Sequence, residues 1–303
     1  MNGNLKLKPK KSFLEKRGKF ERAFFIIVFI VFFLYALSLI VPVVWLFLGS
    51  LKSAFQFTDD IAYGRPFALP DLPLRFANYV DAFFGLTYID STFAVMFFNT
   101  IWITIISTFG GLMVGAAFAY VLSRFEFKAR AFIYAVIIFT MTIPIGGGGS
   151  AGMKLILDVG LYDNPLYVLV TCCGGTGFPF MMFYGAFKNL PKEYSEAVYM
   201  DGGGEFTLFY RVMFPFVIPV FVSLFVINAI EAWNNYQFPM LYLPSYPTLA
   251  SGLFLGKTDF LRNDGGEPVY YAAIVITCLP LVVMYCCFSN IITANYTVGG
   301  IKG

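Results

Sequence analysis

The chain has 303 residues, of which 58% are hydrophobic and only 13% carry a charge. A soluble globular domain has about 25% charged residues, so this shortage excludes an ordinary water-soluble fold. The chain also contains no histidine, which removes the commonest general base and metal ligand, and no metal site or catalytic site is predicted.

Six charge-free stretches follow one another along the chain and account for the missing charge. Each has, or nearly has, the roughly 20 apolar residues that an α-helix needs to cross the hydrocarbon core of a bilayer. Backbone polar groups cannot stay unpaired in lipid, so each stretch predicts a transmembrane helix. The stretches are Ala23–Leu51, Ser91–Ser123, Ala131–Met153, Asn164–Phe187, Val212–Ile230 and Pro268–Ile301. We therefore predict an all-α, polytopic membrane protein with six transmembrane helices.

The segments between these spans predict how the helices are connected. In chain order they are an outer loop at 52–90, rich in proline and aspartate, an inner turn at Ser123–Arg130, a short interfacial helix at 151–163 and a break at Asn164-Pro165 before the fourth span. Because the inner turn is short, the second and third spans are expected to be antiparallel neighbours. The second, fifth and sixth helices are predicted at Thr92–Leu122, Phe214–Trp233 and Tyr270–Ile292.

A glycine run, Gly146–Gly149, follows Pro144 at the end of the third span and invites comparison with a phosphate-binding loop. Gly147 and Gly152 have the spacing of G-x-x-x-x-G-K-[ST], but Met153 stands where the lysine is required. We interpret the run as a flexible outer loop, and we predict that this chain binds no nucleotide or other cofactor.

A seventh uncharged stretch, residues 232–256, is the alternative to a count of six spans. It contains Asn234, Asn235, Gln237 and three prolines, a composition that favours a loop on the aqueous side. The predicted organisation is then a basic arm at 1–22, a six-helix transmembrane domain at 23–292 and a tail at 293–303.

The charges outside the spans predict the orientation of the chain. Residues 1–22 alone carry eight basic residues, and most of the 21 lysines and arginines fall on the same side as this arm. By the positive-inside rule both termini lie in the cytoplasm of a bacterial-type cell, and the protein is a multi-pass component of its plasma membrane. The arm is expected at the lipid headgroups, and the first span is an uncleaved anchor.

The cytoplasmic loop at 188–214, between the fourth and fifth spans, is the most informative segment. Glu193 and Glu196 suit the first turns of a helix, where the helix dipole favours negative charge. The run Gly202–Gly204 predicts the end of that helix, because glycine readily adopts the left-handed conformation of a C-cap. A second helix is predicted to begin at Glu205 and to lead into the fifth span.

Two interpretations of this loop are open from its residues. An amphipathic helix lying on the bilayer is one of them, but Leu190–Tyr210 holds four acidic residues and one lysine. Anionic lipid repels such a face, although Lys188 and Arg211 flank the segment. A soluble protein partner is therefore favoured.

The loop also resembles a known family motif. The run Glu196-Ala197-Val198-Tyr199-Met200-Asp201-Gly202-Gly203, followed by Phe214-Pro215, resembles the EAA loop of ABC-importer permeases, with Val198 for the second alanine and Gly203 for the usual small residue. Further stretches resemble the carbohydrate-uptake, maltose-permease-type branch: Gly49–Lys52, Asn99-Thr100, Ala119-Tyr120, Ser123–Phe125, Ala232–Asn234 and Asn295–Gly303. Together they cover nearly the whole chain.

This resemblance implies a type I importer permease that translocates a sugar, an oligosaccharide or a related molecule, and is not itself an enzyme. The implied partners are a cytoplasmic ATPase dimer holding ATP and Mg, a second permease chain, an extracytoplasmic solute-binding protein and membrane lipid, with no nucleic acid. In such permeases the loop docks on the ATPase, so the implied coupling residues are Glu196, Ala197, Asp201, Gly202, Gly203 and Pro215. The tail either reaches the ATPases too or ends free.

A second group of candidates, Glu231, Trp233, Asn234 and Asn235, lies near the outer end of the fifth span. These residues are either an interfacial anchor or a polar, aromatic lining for a sugar, and both interpretations are open.

Two other function classes are weighed against an ATP-driven importer. An ion-coupled secondary transporter would use ionisable groups buried in the membrane, and an intramembrane enzyme would bring acid–base pairs together in one site. The charge-free spans offer neither arrangement, so the secondary transporter remains only as the alternative.

Overall fold

The computed structural model describes residues 18–143, 149–174, 177–263 and 266–297. They form fifteen α-helices within these ranges: α1 Lys19–Ser50, α2 Ala54–Ala62, α3 Ala77–Gly85, α4 Phe93–Arg124, α5 Arg130–Thr142, α6 Gly149–Val159, α7 Tyr167–Thr171, α8 Phe178–Lys188, α9 Glu193–Met200, α10 Glu205–Thr207, α11 Phe214–Asn234, α12 Gln237–Tyr242, α13 Leu249–Leu255, α14 Lys257–Asn263 and α15 Glu267–Thr297. A 3₁₀ turn spans Cys172–Gly174 and a π-helical turn spans Leu208–Met213. A two-residue antiparallel ladder pairs β1 (Thr87–Tyr88) with β2 (Ser91–Thr92). The all-α prediction is confirmed.

Four helical stretches of the described residues are long and apolar enough to cross a membrane: Ala23–Ser50, Phe93–Arg124, Glu205–Asn234 and Glu267–Asn290. A further pair of apolar helices, Tyr167–Gly174 and Phe178–Lys188, meets at 54° and forms either a bent fifth span or a re-entrant loop. The predicted third span corresponds to α5, a largely apolar helix of thirteen residues. This helix is shorter than the roughly 20 residues that a span needs. Six spans are consistent with this set, although length alone identifies four or five of them.

Several predicted features lie partly or wholly outside the described residues. These are residues 1–17 of the basic arm, Pro144 with the first three glycines of the run Gly146–Gly149, and residues 298–303 of the tail. Gly149 begins α6, which occupies most of the segment predicted as an interfacial helix.

The stretch at 232–256 does not cross the membrane. Beyond the end of α11 it folds into the short helices α12 and α13, of six and seven residues, against the roughly 20 that a span needs. Asp163, which precedes the fourth span, holds this region by accepting hydrogen bonds from the backbone N–H and the hydroxyl of Ser245, at 2.9 and 2.6 Å. The prediction of a loop rather than a seventh span is confirmed.

The inner half of the core forms where α4 packs against α8 and α11. Ala116 and Ala119 of α4 are fully buried, and such small residues let neighbouring helices approach closely in a membrane. Phe180, Phe183 and Phe187 of α8 fill the resulting space with no exposed surface. The same cluster includes Leu208, Phe209 and Met213, so the π-helical turn is anchored in this core.

The outer segment at 52–90 is folded rather than a loop. Lys52 and Asp60 form a buried ion pair with 2.9 Å between Nζ and Oδ2. The Asn78 amide donates to the carbonyl oxygens of Ser50 and Lys52 at 2.7 and 2.8 Å. These contacts tie α2 and α3 to the end of α1, so the segment forms an ordered cap at this end of the membrane helices.

Candidate functional site: the loop at 188–214

Helix α9 is the exposed element at the centre of the predicted coupling loop. None of its residues is buried, and the Met200 side chain is 89% exposed. Glu196 and Ala197 both lie on the exposed surface, with Glu193 and Glu196 in the first turn, where the helix dipole stabilises negative charge. The helix thus offers an acidic, accessible surface, while its half-buried Val198 packs against the core.

The end of α9 is a Schellman motif built on two glycines. The Gly203 N–H donates to the Val198 carbonyl at 2.9 Å, and the Gly202 N–H donates to the Tyr199 carbonyl at 3.0 Å. Gly202 has a φ of +75°, a conformation that glycine adopts without the steric cost that a Cβ brings. Asp201 occupies the C-cap and is exposed. The glycine run therefore ends the helix where the sequence predicted.

Gly203 is required for a different reason, which is space. A Cβ at this position would lie 2.6 Å from Cγ1 of Val198 and 3.0 Å from the Val198 carbonyl oxygen. The two residues that depart from the EAA pattern are therefore neighbours in space, and the valine methyl fills the volume that an alanine at 203 would need.

Two polar contacts join the loop to the last turns of α4. At the start of the loop, Nη2 of Arg124 donates to the Leu190 carbonyl at 2.8 Å. At its end, the Glu205 carboxylate accepts from the Tyr199 hydroxyl at 2.5 Å and from the Tyr120 hydroxyl at 3.2 Å. Each tyrosine uses its own carboxylate oxygen, so Glu205 bridges α9 and α4.

The bond to Glu205 is the main cause of a raised pKa for the Tyr199 hydroxyl. An unperturbed tyrosine already titrates near 10, so this hydroxyl stays protonated and able to donate throughout the physiological range.

A cleft of about 770 Å³ lies between α9 and the inner turn that follows α4. It is lined by charged side chains of both signs: Arg124, Arg130, Lys188 and Lys192 on the basic side, and Glu126, Glu196 and Glu205 on the acidic side. Within the described residues no cluster of three or more Cys, Asp or Glu residues is arranged to hold a metal ion. The chemistry that this surface offers is the pairing of charges with another molecule.

Comparison with known proteins identifies the family. Residues 111–294 match the family described as the inner membrane component of binding-protein-dependent transport systems. The chain belongs to this family. The resemblance seen in the EAA-like loop is thereby confirmed, and with it the prediction of a transport component of the membrane rather than an enzyme.

Curated relatives match the permease over most of its length. The diacetylchitobiose uptake system permease protein NgcG of Streptomyces coelicolor is 28% identical over 284 residues, which cover 92% of the permease and 89% of the relative. The arabinooligosaccharides transport system permease protein AraQ of Bacillus subtilis is 25% identical over 273 residues, with 90% and 94% covered.

Solved structures share the fold of the permease. One chain from a bacterial ABC transporter involved in the import of the acidic polysaccharide alginate has a TM-score of 0.73 at 24% identity, covering 90% of the permease and 98% of that chain. A chain of the alginate transporter in complex with a pentasaccharide-bound periplasmic protein has a TM-score of 0.54 at 14% identity, covering 92% and 94%. The architecture is therefore that of an ABC importer permease.

The four candidate residues at the outer end of α11 do not form one surface. Trp233 of the permease is buried, its indole N–H donates to the Thr277 carbonyl at 3.2 Å, and its ring meets Phe97 edge to face. The other three, Glu231, Asn234 and Asn235, are exposed. Trp233 thus packs between helices of the permease.

No pattern in the sequence indicates that Glu205 is a bridging residue. It lies 85 residues from Tyr120, so no helical spacing connects the two side chains. Tyr120 and Arg124 stood out only as part of the family resemblance, without a role. Only the packing of α4 beside the loop brings these side chains together.

Proposed function

We propose that the permease translocates an oligosaccharide or related sugar across the cell membrane by alternating access, driven by separate ATPase subunits that act through α9. The observation that carries this proposal is an exposed acidic helix flanked by two contacts with the end of α4, one from Arg124 to the Leu190 carbonyl and one from Tyr120 to Glu205. A helix with no buried residue gains little from its own chain, and its surface suits a partner that supplies basic groups.

Within this proposal each coupling residue has a physical task. Glu196 pairs with a basic residue of the ATPase, and Ala197 keeps the exposed face of α9 flat beside it. Asp201 and Gly202 shape the tight turn after the helix, and Gly203 gives the turn room beside Val198. Pro215 lies where the π-helical turn passes into α11, and without an N–H it donates no backbone hydrogen bond to the preceding turn.

Sugar as the cargo is supported by what the relatives are named for, which are diacetylchitobiose and arabinooligosaccharides. A solute-binding protein as a partner is supported by the alginate transporter bound to a periplasmic protein. We further propose an ATPase dimer carrying ATP and Mg, a second permease chain and both termini in the cytoplasm.

At the outer end of α11, two asparagines each have one side-chain amide atom that makes no hydrogen bond among the described contacts. Nδ2 of Asn234 donates to the Ile230 carbonyl, which leaves Oδ1 available, and Oδ1 of Asn235 accepts from the Phe238 N–H, which leaves Nδ2 available. With the exposed carboxylate of Glu231 they provide both donors and acceptors for sugar hydroxyls at the proposed outer mouth.

The energy source is the decisive test. The assembled transporter is purified from its own cells, reconstituted in vesicles with its binding protein, and supplied with labelled diacetylchitobiose or arabinooligosaccharide. We expect uptake that needs ATP and does not respond to proton or sodium gradients. Uptake driven by an ion gradient without ATP would replace this function with that of a secondary transporter.

A substitution in the turn tests the role of the loop in the same assay. Gly202→Asp puts a side chain on a left-handed residue at the proposed ATPase contact, so uptake should be abolished while the protein remains in the membrane. Gly204→Ala is the matched control, since Gly204 has a φ of −92° and open space around it. Near-normal uptake by Gly202→Asp would contradict the proposed coupling.

A further inference from the structure

We propose that Glu205 is a positioning residue that transmits the movement of α9 to α4, through its paired hydrogen bonds with Tyr199 and Tyr120. This inference rests on the proposed function and adds to it the path by which motion of the loop enters the transmembrane helices. Neither the EAA pattern nor the family match assigns this task to Glu205.

Helix α9 has few ways to act on the rest of the chain. None of its residues is buried, and its packing contacts are made by the half-buried Val198, which lies against the core, and by the Tyr194 ring, which meets Phe216 of α11 at a centroid distance of 5.0 Å. The segment just before the helix is connected to α4 by Nη2 of Arg124, which donates to the Leu190 carbonyl at 2.8 Å. The last turn of the helix is connected through Tyr199 and Glu205. The hydrogen bonds that carry a displacement of α9 to α4 therefore lie on either side of the helix.

Tyr120 is held firmly enough by its packing to pass such a displacement on to α4. It is only 5% exposed, and its ring packs against Phe125, Phe187 and Phe209 at centroid distances of 5.9, 5.6 and 4.9 Å. The ring cannot turn without disturbing the inner core, so a pull on its hydroxyl acts on α4 itself.

The pair of hydrogen bonds at Glu205 is better explained as a mechanical connection between α9 and α4 than as a means of stabilising the Glu205 charge. Glu205 stands at the start of a helix, where the helix dipole already stabilises a carboxylate, and it is exposed to water. It does not need two tyrosines for its charge. Hydrogen bonds from hydroxyls to a carboxylate are stronger than neutral ones, and here they join two elements in series.

The test removes one hydroxyl at a time and keeps every ring. Tyr120→Phe and Tyr199→Phe are compared with the control Tyr134→Phe, whose hydroxyl makes no hydrogen bond among the described contacts and whose ring packs on Tyr184. In the reconstituted transporter we measure ATP hydrolysed per sugar imported, together with complex yield and melting temperature. Each test variant should raise that ratio about fivefold or more, with yield and melting temperature unchanged, whereas Tyr134→Phe should match the parent.

The double variant Tyr120→Phe/Tyr199→Phe distinguishes a single connection in series from two hydrogen bonds that act independently. A link in series is already broken by either change, so the double variant should be no worse than the single ones. Additive effects, an unchanged ratio in both single variants, or a loss of assembly in both would overturn the inference. If the parent itself imports sugar without ATP, the proposed function fails and the link with it, whereas ATP-driven uptake with an unchanged ratio removes only the link.

Discussion

At the scale of residues, Val198 and Gly203 form a matched pair. The Val198 methyl group occupies the position that a Cβ at 203 would need, with 2.6 Å between them. Gly203→Ala alone should therefore destabilise the turn after α9 by about 1–3 kcal/mol, the usual cost of overpacking. Val198→Ala/Gly203→Ala should recover most of that loss, because removal of the methyl groups makes the space. Hydrogen exchange of the α9 amides in the purified transporter measures both effects.

Gly204→Ala is again the control, because open space surrounds that residue. If the double variant exchanges as fast as Gly203→Ala, the Val198 carbonyl, 3.0 Å from the added Cβ, sets the limit instead, and the pairing of the two side chains is wrong.

Sequence reasoning reached only part of the chemistry at this scale. The acidic residues of α9 and the glycines that end it follow from local rules for helix termini, and these rules were sufficient. The bridge at Glu205 and the dependence of Gly203 on Val198 are contacts in space. Nothing in the residue types alone indicates them.

At the scale of elements, the outer segment depends on the ion pair Lys52–Asp60. Both side chains are nearly inaccessible, at 3% and 7% exposure. Asp60→Asn should leave the Lys52 charge buried without its partner, which costs about 3–5 kcal/mol when a buried pair loses one member. We expect the segment at 52–90 to become sensitive to protease added outside intact cells, while the membrane helices remain in place.

Asp59→Asn is the matched control for this change. Asp59 faces Arg65 across 3.6 Å with 41% and 59% of the two side chains exposed, and exposed pairs contribute about 1 kcal/mol or less. It should leave protease resistance as in the parent. Equal sensitivity of the two variants would show that the buried pair does not hold the segment.

Amino-acid composition does not predict the shape of every element or its contacts. A charge-free stretch predicted the fourth span as one helix, yet α7 and α8 meet at 54°. The same reasoning read 52–90 as a loop, because proline and aspartate are frequent there, and missed the buried pair that folds it. Hydropathy indicates which residues avoid water, but it does not indicate where a helix bends or which side chains form a buried ion pair.

At the scale of the whole molecule, the apolar, helical character of the spans followed from charge alone, because lipid leaves the backbone few alternatives. Sidedness is the remaining prediction, and the proposed function depends on it, since ATP is available only inside. The cap at 52–90 and the loop at 188–214 should lie on opposite sides of the membrane.

Single cysteines test this sidedness directly, in a background where the five native cysteines are replaced by serine. Ala62→Cys lies at the end of α2 and Lys192→Cys lies just before α9, and both positions are exposed. A membrane-impermeant maleimide should label Ala62→Cys in intact spheroplasts, and should label Lys192→Cys only after lysis, because basic segments stay in the cytoplasm. Both variants should first import sugar at the parent rate, so that the labelling reports the working protein. The reverse pattern would place α9 outside, out of reach of any ATPase, and would leave the acidic helix without its proposed partner.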